Sequence, residues 1–203
     1  MQFGWDISTS VVGVAILDDD GKWVKSSYFE FAKMAKGAKT LHEKMFACEN
    51  WIYDLLSNYP IGYHHHFFED RLANFSFGKT MMQTLMMLAA FNALFSYRVM
   101  QIHDGLFADK LGEHGVKSTY LHPSTVKAIM KKDGLIIPKG ADKKLLTLHF
   151  ARRNVPDFPV EYTRTGSPKP FCYDMADGYI VARAGHLRKH QGKDGKIQEA
   201  EGD

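Results

Sequence analysis

The sequence predicts one α/β domain on a five-stranded mixed sheet, three antiparallel strands followed by two parallel ones, flanked by helices. Three observations carry this expectation. Apolar segments at 2–7, 11–17 and 22–31 are separated only by short turn-forming stretches, the signature of consecutive hairpins. Two later β-rich segments, 64–70 and 116–122, each follow a stretch of helical character, as a parallel addition to a sheet requires. The chain has 203 residues, 45% of them hydrophobic, enough to bury a core without disulfides or metal staples.

Each element has its own local reason. Ser8 to Ser10 turn the first hairpin, and Asp20-Gly21 within "DDDG" at 18–21 is a strong signal for the second. Leu41, Met45, Ile52, Leu55 and Leu56 follow helical spacing over about 38–57, until Pro60 and Gly62 stop it. "HHHFFED" at 64–70 reads as the fourth strand. The stretch from Lys79 to about Met100 is apolar nearly all round, so the helix it forms is either sandwiched in the domain or shared with a second subunit. Its most apolar run, 81–95, is broken by Gln83, Thr84 and Asn92 and is shorter than the roughly 20 residues of a membrane span. Residues 104–115 are ambiguous between helix and turn, and "VKSTYLH" at 116–122 is the fifth strand. Pro123 opens a short helix with Ser124 and Thr125, and Asp142 caps another that runs to about Arg153. Four prolines make 154–170 a loop, the last helix runs from near Tyr173 to about Lys189, and the polar 190–203 is a disordered tail. One domain, 1–189, follows. This order does not suit a fully parallel, doubly wound sheet; it suits a ribonuclease H-like one.

Composition narrows the function classes. Cys48 and Cys172 are too few for a disulfide framework or a four-ligand zinc site, and the N-terminus lacks the form of a signal peptide. A reducing, cytoplasmic setting with no membrane is expected. The net charge is only +3, but 117–153 holds nine Lys/Arg against two Asp, leaving −4 on the rest. That concentration fits either a polyanion-binding surface or a solvated helical face.

Acids occur where elements meet. Asp6 lies on the first strand, on the face opposite Phe3, Trp5 and Ile7; Glu69 ends the fourth; Asp174 and Asp177 share one face at the start of the last helix. Singly, each has a bland reading, a solvated cap or a charge favoured by the helix dipole. Together they form the oxygen-rich set that a hard divalent cation needs for phosphodiester hydrolysis. His64 and His66 share a strand face but lack an obvious third ligand. Cys172, beside Asp174, has no partner base nearby in sequence and is read as packing.

With those residues in view, "GWDISTSVVGVAIL" (4–17), "FFEDRLANFSFGKTMMQTLMMLAAF" (67–91), "HPSTVKAIM" (122–130), "ADKKLLTLHF" (141–150) and "YDMADGYIVARAGH" (173–186) resemble, in order, the blocks of RuvC-type Holliday junction resolvases. The resemblance implies a metal-dependent, structure-selective DNA endonuclease of ribonuclease H-like fold, a homodimer through the 79–100 helix, acting on four-way junctions or other branched DNA. Asp6, Glu69, Asp174 and Asp177 then match the metal-binding, catalytic carboxylates. Lys143 or Lys144 falls near a catalytic-region lysine, and Lys127 near another. Two Mg²⁺, with Mn²⁺ as a substitute, would lie about 4 Å apart and activate water for in-line displacement, leaving a 5′ phosphate. Asp6 is the expected bridging ligand. The DNA-binding set is Arg71, Phe75, Phe77, Lys79, Lys127, Lys131, Lys132, Lys143 and Lys144, with one of the two phenylalanines as a wedge at the branch point and the other as packing. Two features depart from the family: a turn of Ile7-Ser8-Thr9-Ser10 where a glycine is usual, and Gly178 where a small alanine is common.

Three other classes compete. A flap or RNA–DNA hybrid nuclease would share the same metal site. A junction-binding scaffold would have no reason to keep all four acids. An actin-like or sugar-kinase ATPase opens with similar text but needs a second related half, for which 203 residues leave no room.

Overall fold

The structure, a computed structural model, describes residues 1–31, 40–59, 64–70, 79–107 and 116–200, without the side chains of 79–81, 107 and 191–200. Its strands are β1 (Gln2–Ile7), β2 (Val11–Leu17), β3 (Trp23–Glu30), β4 (His64–Glu69) and β5 (Val116–Leu121). The helices are α1 (Leu41–Ser57), α2 (Lys79–Phe107), α3 (Pro123–Lys132), α4 (Lys143–Asn154) and α5 (Pro170–Ala200). The sheet order is β3-β2-β1-β4-β5. β1 pairs antiparallel with β2 and β2 with β3, while β4 runs parallel to β1 and β5 parallel to β4. This is the expected mixed sheet.

The turns form as their residues dictate. Ser8 Oγ accepts from the Val11 amide at 3.0 Å, closing the first hairpin. In the second, Asp18 Oδ1 accepts from the amides of Asp20 and Lys22 and Gly21 takes φ +80°, a left-handed geometry that glycine adopts without steric cost. Thr40 caps α1, its Oγ1 accepting from the Glu43 amide while Glu43 Oε2 accepts from the Thr40 amide.

Two helices depart from their expected ends. α2 continues to Phe107, because Ile102, His103 and Leu106 still pack or bond against the sheet layer in spite of Asp104 and Gly105. At that length Met82–Leu106 is apolar enough by composition to cross a bilayer, so run length does not argue against a span. What speaks for a layer of this domain is that α2 lies on the sheet, with Phe91, Phe95 and Val99 buried there. α5 begins at Pro170, in the N1 position where proline is favoured, and runs to Ala200, past the end expected near Lys189.

The sheet divides two cores. Phe3, Trp5, Ile7, Val12, Val14 and Phe68 pack against α1 and α2 on one side; Ala15, Leu17, Phe67 and Leu121 pack against α3, α4 and α5 on the other. Between β1, β4 and α2 lies a polar chain. Trp5 Nε1 donates to His66 Nδ1 at 3.1 Å, and His66 Nε2 lies 2.8 Å from His103 Nδ1. An indole can only donate, so His66 Nδ1 carries no proton, His66 Nε2 donates, and His103 Nδ1 accepts. The third histidine missing from the sequence therefore arrives on α2, but both facing nitrogens are spent on each other. Among the described residues no metal-binding group of His, Cys, Asp or Glu includes them.

The relay tolerates only neutral rings. Burial is the main cause that holds His66 well below the ordinary histidine value of 6.5 and His103 down to about 3, with neighbouring histidines adding. The unfolded chain therefore binds more protons than the folded one across this range. The stability these neutral rings provide is complete above about pH 6.5 and lost progressively as pH falls toward about 3. For His103→Phe, the loss of unfolding free energy between pH 7.5 and 5.0, measured by urea titration, should shrink by about 2 kcal/mol.

Candidate active site

The site assembles where β1 and β4 end side by side. Their parallel register reaches Trp5↔Phe68, so Asp6 and Glu69 follow on adjacent strands at the carboxyl edge of the sheet, where α/β folds place their ligands. Asp6 also pairs with Gly13 across the β1–β2 ladder. That glycine decides the third position: a Cβ there would lie 2.2 Å from the Asp174 carbonyl oxygen. Its absence lets the start of α5 lie directly over the ladder beside Asp6.

Asp6 is 4% exposed and Asp174 8%. Asp174 falls on the second turn of α5, since the helix starts at Pro170; the reading of it as a dipole-favoured terminal charge therefore loses force. The Asp177 carboxyl is pushed up to about 7, first by burial and then by Asp6, with Glu69 adding and Lys143 and Lys144 opposing. Asp6, Glu69 and Asp177 thus bear on one region, with two lysines beside it. Lys144 Nζ stands 3.6 Å from Asp174 Oδ1, whereas Lys143 lines the adjoining groove. The two lysines have different positions, a distinction the sequence left open.

A groove of about 740 Å³ leads from Glu69 and Asp177 along α3 and α4. Lys127, Lys131 and Lys143 line it, with Ser124 at the first turn of α3. Lys132 is exposed at the end of α3 and outside the groove lining. Lys79 opens α2, and Arg71, Phe75 and Phe77 lie outside the described residues. Ser124 and the buried Thr147 were not singled out as site residues from sequence; Thr147 follows Lys143 at i+4 on α4, which is the spacing that would have marked it.

The acids supply only oxygen, and the raised Asp177 carboxyl records burial first and the repulsion of Asp6 and Glu69 after it, both of which a bound cation would offset; on both counts this donor set fits a hard divalent ion. Among the described residues no three acidic, histidine or cysteine side chains are drawn close enough to form a closed metal-binding group. Mg²⁺ does not need one, since it is usually held by one or two carboxylates and completed by water and phosphate oxygens.

The shift at Asp177 has a consequence for stability. With its folded value above the unfolded 3.8, the native state holds the extra proton, so the contribution of this one group is most favourable below about pH 4 and declines as pH rises through about 7. Asp177→Asn should therefore raise the melting temperature of the metal-free protein by a few degrees at pH 8. The difference from the parent should vanish near pH 4, as followed by differential scanning fluorimetry.

No protein-family model and no curated protein matches the chain. Among solved structures, T. thermophilus RuvC in complex with a Holliday junction substrate aligns with a TM-score of 0.55 at 11% identity, covering 94% of this chain and 95% of that one. A second structure, of Thermus thermophilus RuvC, gives a TM-score of 0.58 at 14% identity over 94% and 96%. The likeness runs through nearly the whole of both chains, and with the five-stranded mixed sheet it shows that this protein has the ribonuclease H-like fold of RuvC.

Proposed function

We propose that residues 1–189 form a Mg²⁺-dependent endonuclease that cuts branched DNA, with the four-way junction as its leading substrate. The observation that carries this reading is the convergence of Asp6, Glu69 and Asp177, felt electrostatically at Asp177, at the mouth of a lysine-lined groove. A T. thermophilus RuvC of the same fold has been solved with a Holliday junction substrate, which supports DNA rather than a nucleotide as ligand.

Asp6, Glu69, Asp174 and Asp177 would hold the divalent ions, with Mn²⁺ able to replace Mg²⁺. Once bound, these ions supply the Lewis acidity and the activated water of phosphodiester hydrolysis. The chain's own residues do the rest. Lys143 and Lys144 place positive charge beside the acids, where a scissile phosphate gains from it. Lys127 and Lys131 on the groove wall contact flanking phosphates, positioning the duplex without reading its sequence. The outer face of α2 exposes Met82, Met86, Met87 and Tyr97, which supports a homodimer in which two sites face the two strands of a symmetric junction. Buried free thiols at Cys48 and Cys172 accord with a reducing, cytoplasmic setting.

Cleavage of a four-way junction, Y-fork, flap, RNA–DNA hybrid and linear duplex, compared with and without Mg²⁺, tests the reading. The junction should be cut fastest, and Asp6→Asn should lose about 10²–10³-fold in rate, the order of a removed electrostatic contact of catalysis. Its junction binding should remain, since phosphate contacts dominate affinity. Preference for the hybrid would reassign the substrate, and cleavage by Asp6→Asn at the parent rate would remove Asp6 from the site. For the dimer, Met86→Glu should shift the mass measured by light scattering from two chains to one.

A further inference from the structure

α2 reads as an apolar helix, yet Asn92, Ser96 and His103 are all buried on it. They stand at i, i+4 and i+11, one stripe of the helix, and each bonds a different point of the sheet. Asn92 Nδ2 donates to the Glu69 carbonyl at 3.1 Å. Ser96 Oγ shares a hydrogen bond with the Tyr120 hydroxyl on β5. His103 accepts from His66 on β4, in the direction that Trp5 imposes.

The first of these contacts falls on a residue of the site. Glu69 is where β4 leaves the sheet, and the chain there is gripped from two sides: the Asp70 amide donates to Leu121 O on β5 at 2.9 Å, and the Glu69 carbonyl accepts from Asn92. Only the amide nitrogen of Asn92 can face a carbonyl, so its orientation is set. With the peptide after Glu69 fixed, the Glu69 side chain leaves the strand end in one direction. The histidine relay, at the other end of the stripe, keeps α2 from sliding along the sheet and so keeps Asn92 opposite that carbonyl.

We propose that Asn92 is a positioning residue that aims Glu69 into the acid cluster, so that α2 sets the cation affinity of the site. This rests on the reading of the four acids as a cation site. Partners that orient metal ligands are typically worth 10–100-fold in affinity or activity.

The test uses the whole protein and Mn²⁺ as probe, with binding followed by electron paramagnetic resonance and cleavage measured in parallel. Asn92→Leu keeps the branched heavy-atom skeleton and removes the donor; it should weaken Mn²⁺ binding about tenfold and lower kcat, with the KM for DNA unchanged. Asn92→Ser, too short to reach the carbonyl, should give the same loss if the leucine variant fails to fold. Asn92→His, which restores an N–H at that point, should recover most of the affinity. Ser96→Ala removes a neighbouring contact that does not touch Glu69 and should lower stability while leaving Mn²⁺ affinity unchanged. Parental Mn²⁺ affinity in Asn92→Leu, or an equal loss in Ser96→Ala, would overturn the proposal. If the parent binds Mn²⁺ but cuts no branched DNA, the nuclease reading fails while Asn92 is still decided by binding; if the parent binds no Mn²⁺, both fall.

Discussion

The contact on which the molecule depends is backbone against backbone: at Gly4 and Gly13, β1 and β2 meet α5 with no side chain between them. A Cβ at Gly4 would come within 2.2 Å of the Ala182 nitrogen, one at Gly13 within 2.2 Å of the Asp174 oxygen, and one at Gly178 within 3.1 Å of the Gly4 oxygen. The approaches at Gly4 and Gly13 are open only to glycine, whereas an alanine at 178 would need its neighbours to give by a few tenths of an ångström. This proximity also brings Asp174 and Asp177 down onto Asp6, and the cost of that crowding is legible in the raised Asp177 carboxyl. Packing and chemistry are here one constraint, because a helix held a side chain's thickness away would relax the acids and disperse them.

The two faces of the sheet then divide the work. On the α5 side lie the acids, the lysine-lined groove and short helices whose charged ends point outward. On the α2 side the contacts are aromatic and neutral, with Phe3, Trp5, Phe68, Phe91 and Phe95 buried and the histidine relay threaded among them. The polar groups there are few, and Trp5, His66, His103, Asn92 and Ser96 have directional partners, which is how buried polar atoms specify one register among the many that an apolar surface would allow. Arg98 pairs with Glu49, tying α2 to α1 at the rim.

Much of this was readable in the chain. β1 and β2 have the expected bounds because apolar runs closed by a serine turn and an Asp-Gly turn leave little freedom. The four acids could be found because they fall at strand ends and at i, i+3 on a helix. What brings them together could not: nothing in the spacing of Gly13 and Asp174 says that they touch. The ends of α2 and α5 were misjudged for a related reason. Asp104, Gly105 and Pro170 are local breakers, and tertiary packing or the N1 position overrode them. The relay of Trp5, His66 and His103 joins three segments far apart in sequence, so strand spacing alone could not show it: His66 accepts from the indole of β1 and donates to His103 on α2.

The pairing order also has a consequence in time. Asp6 emerges early in synthesis, but Glu69 joins it only when β4 pairs with β1, and Asp174 and Asp177 only when α5 has closed over Gly13. Contacts of such large sequence separation form late and slowly. A ribosome-bound fragment ending before α5 would present the hairpins of β1 to β3 without the helix that completes the acid cluster. The acid cluster is therefore complete only once α5 has closed over Gly13.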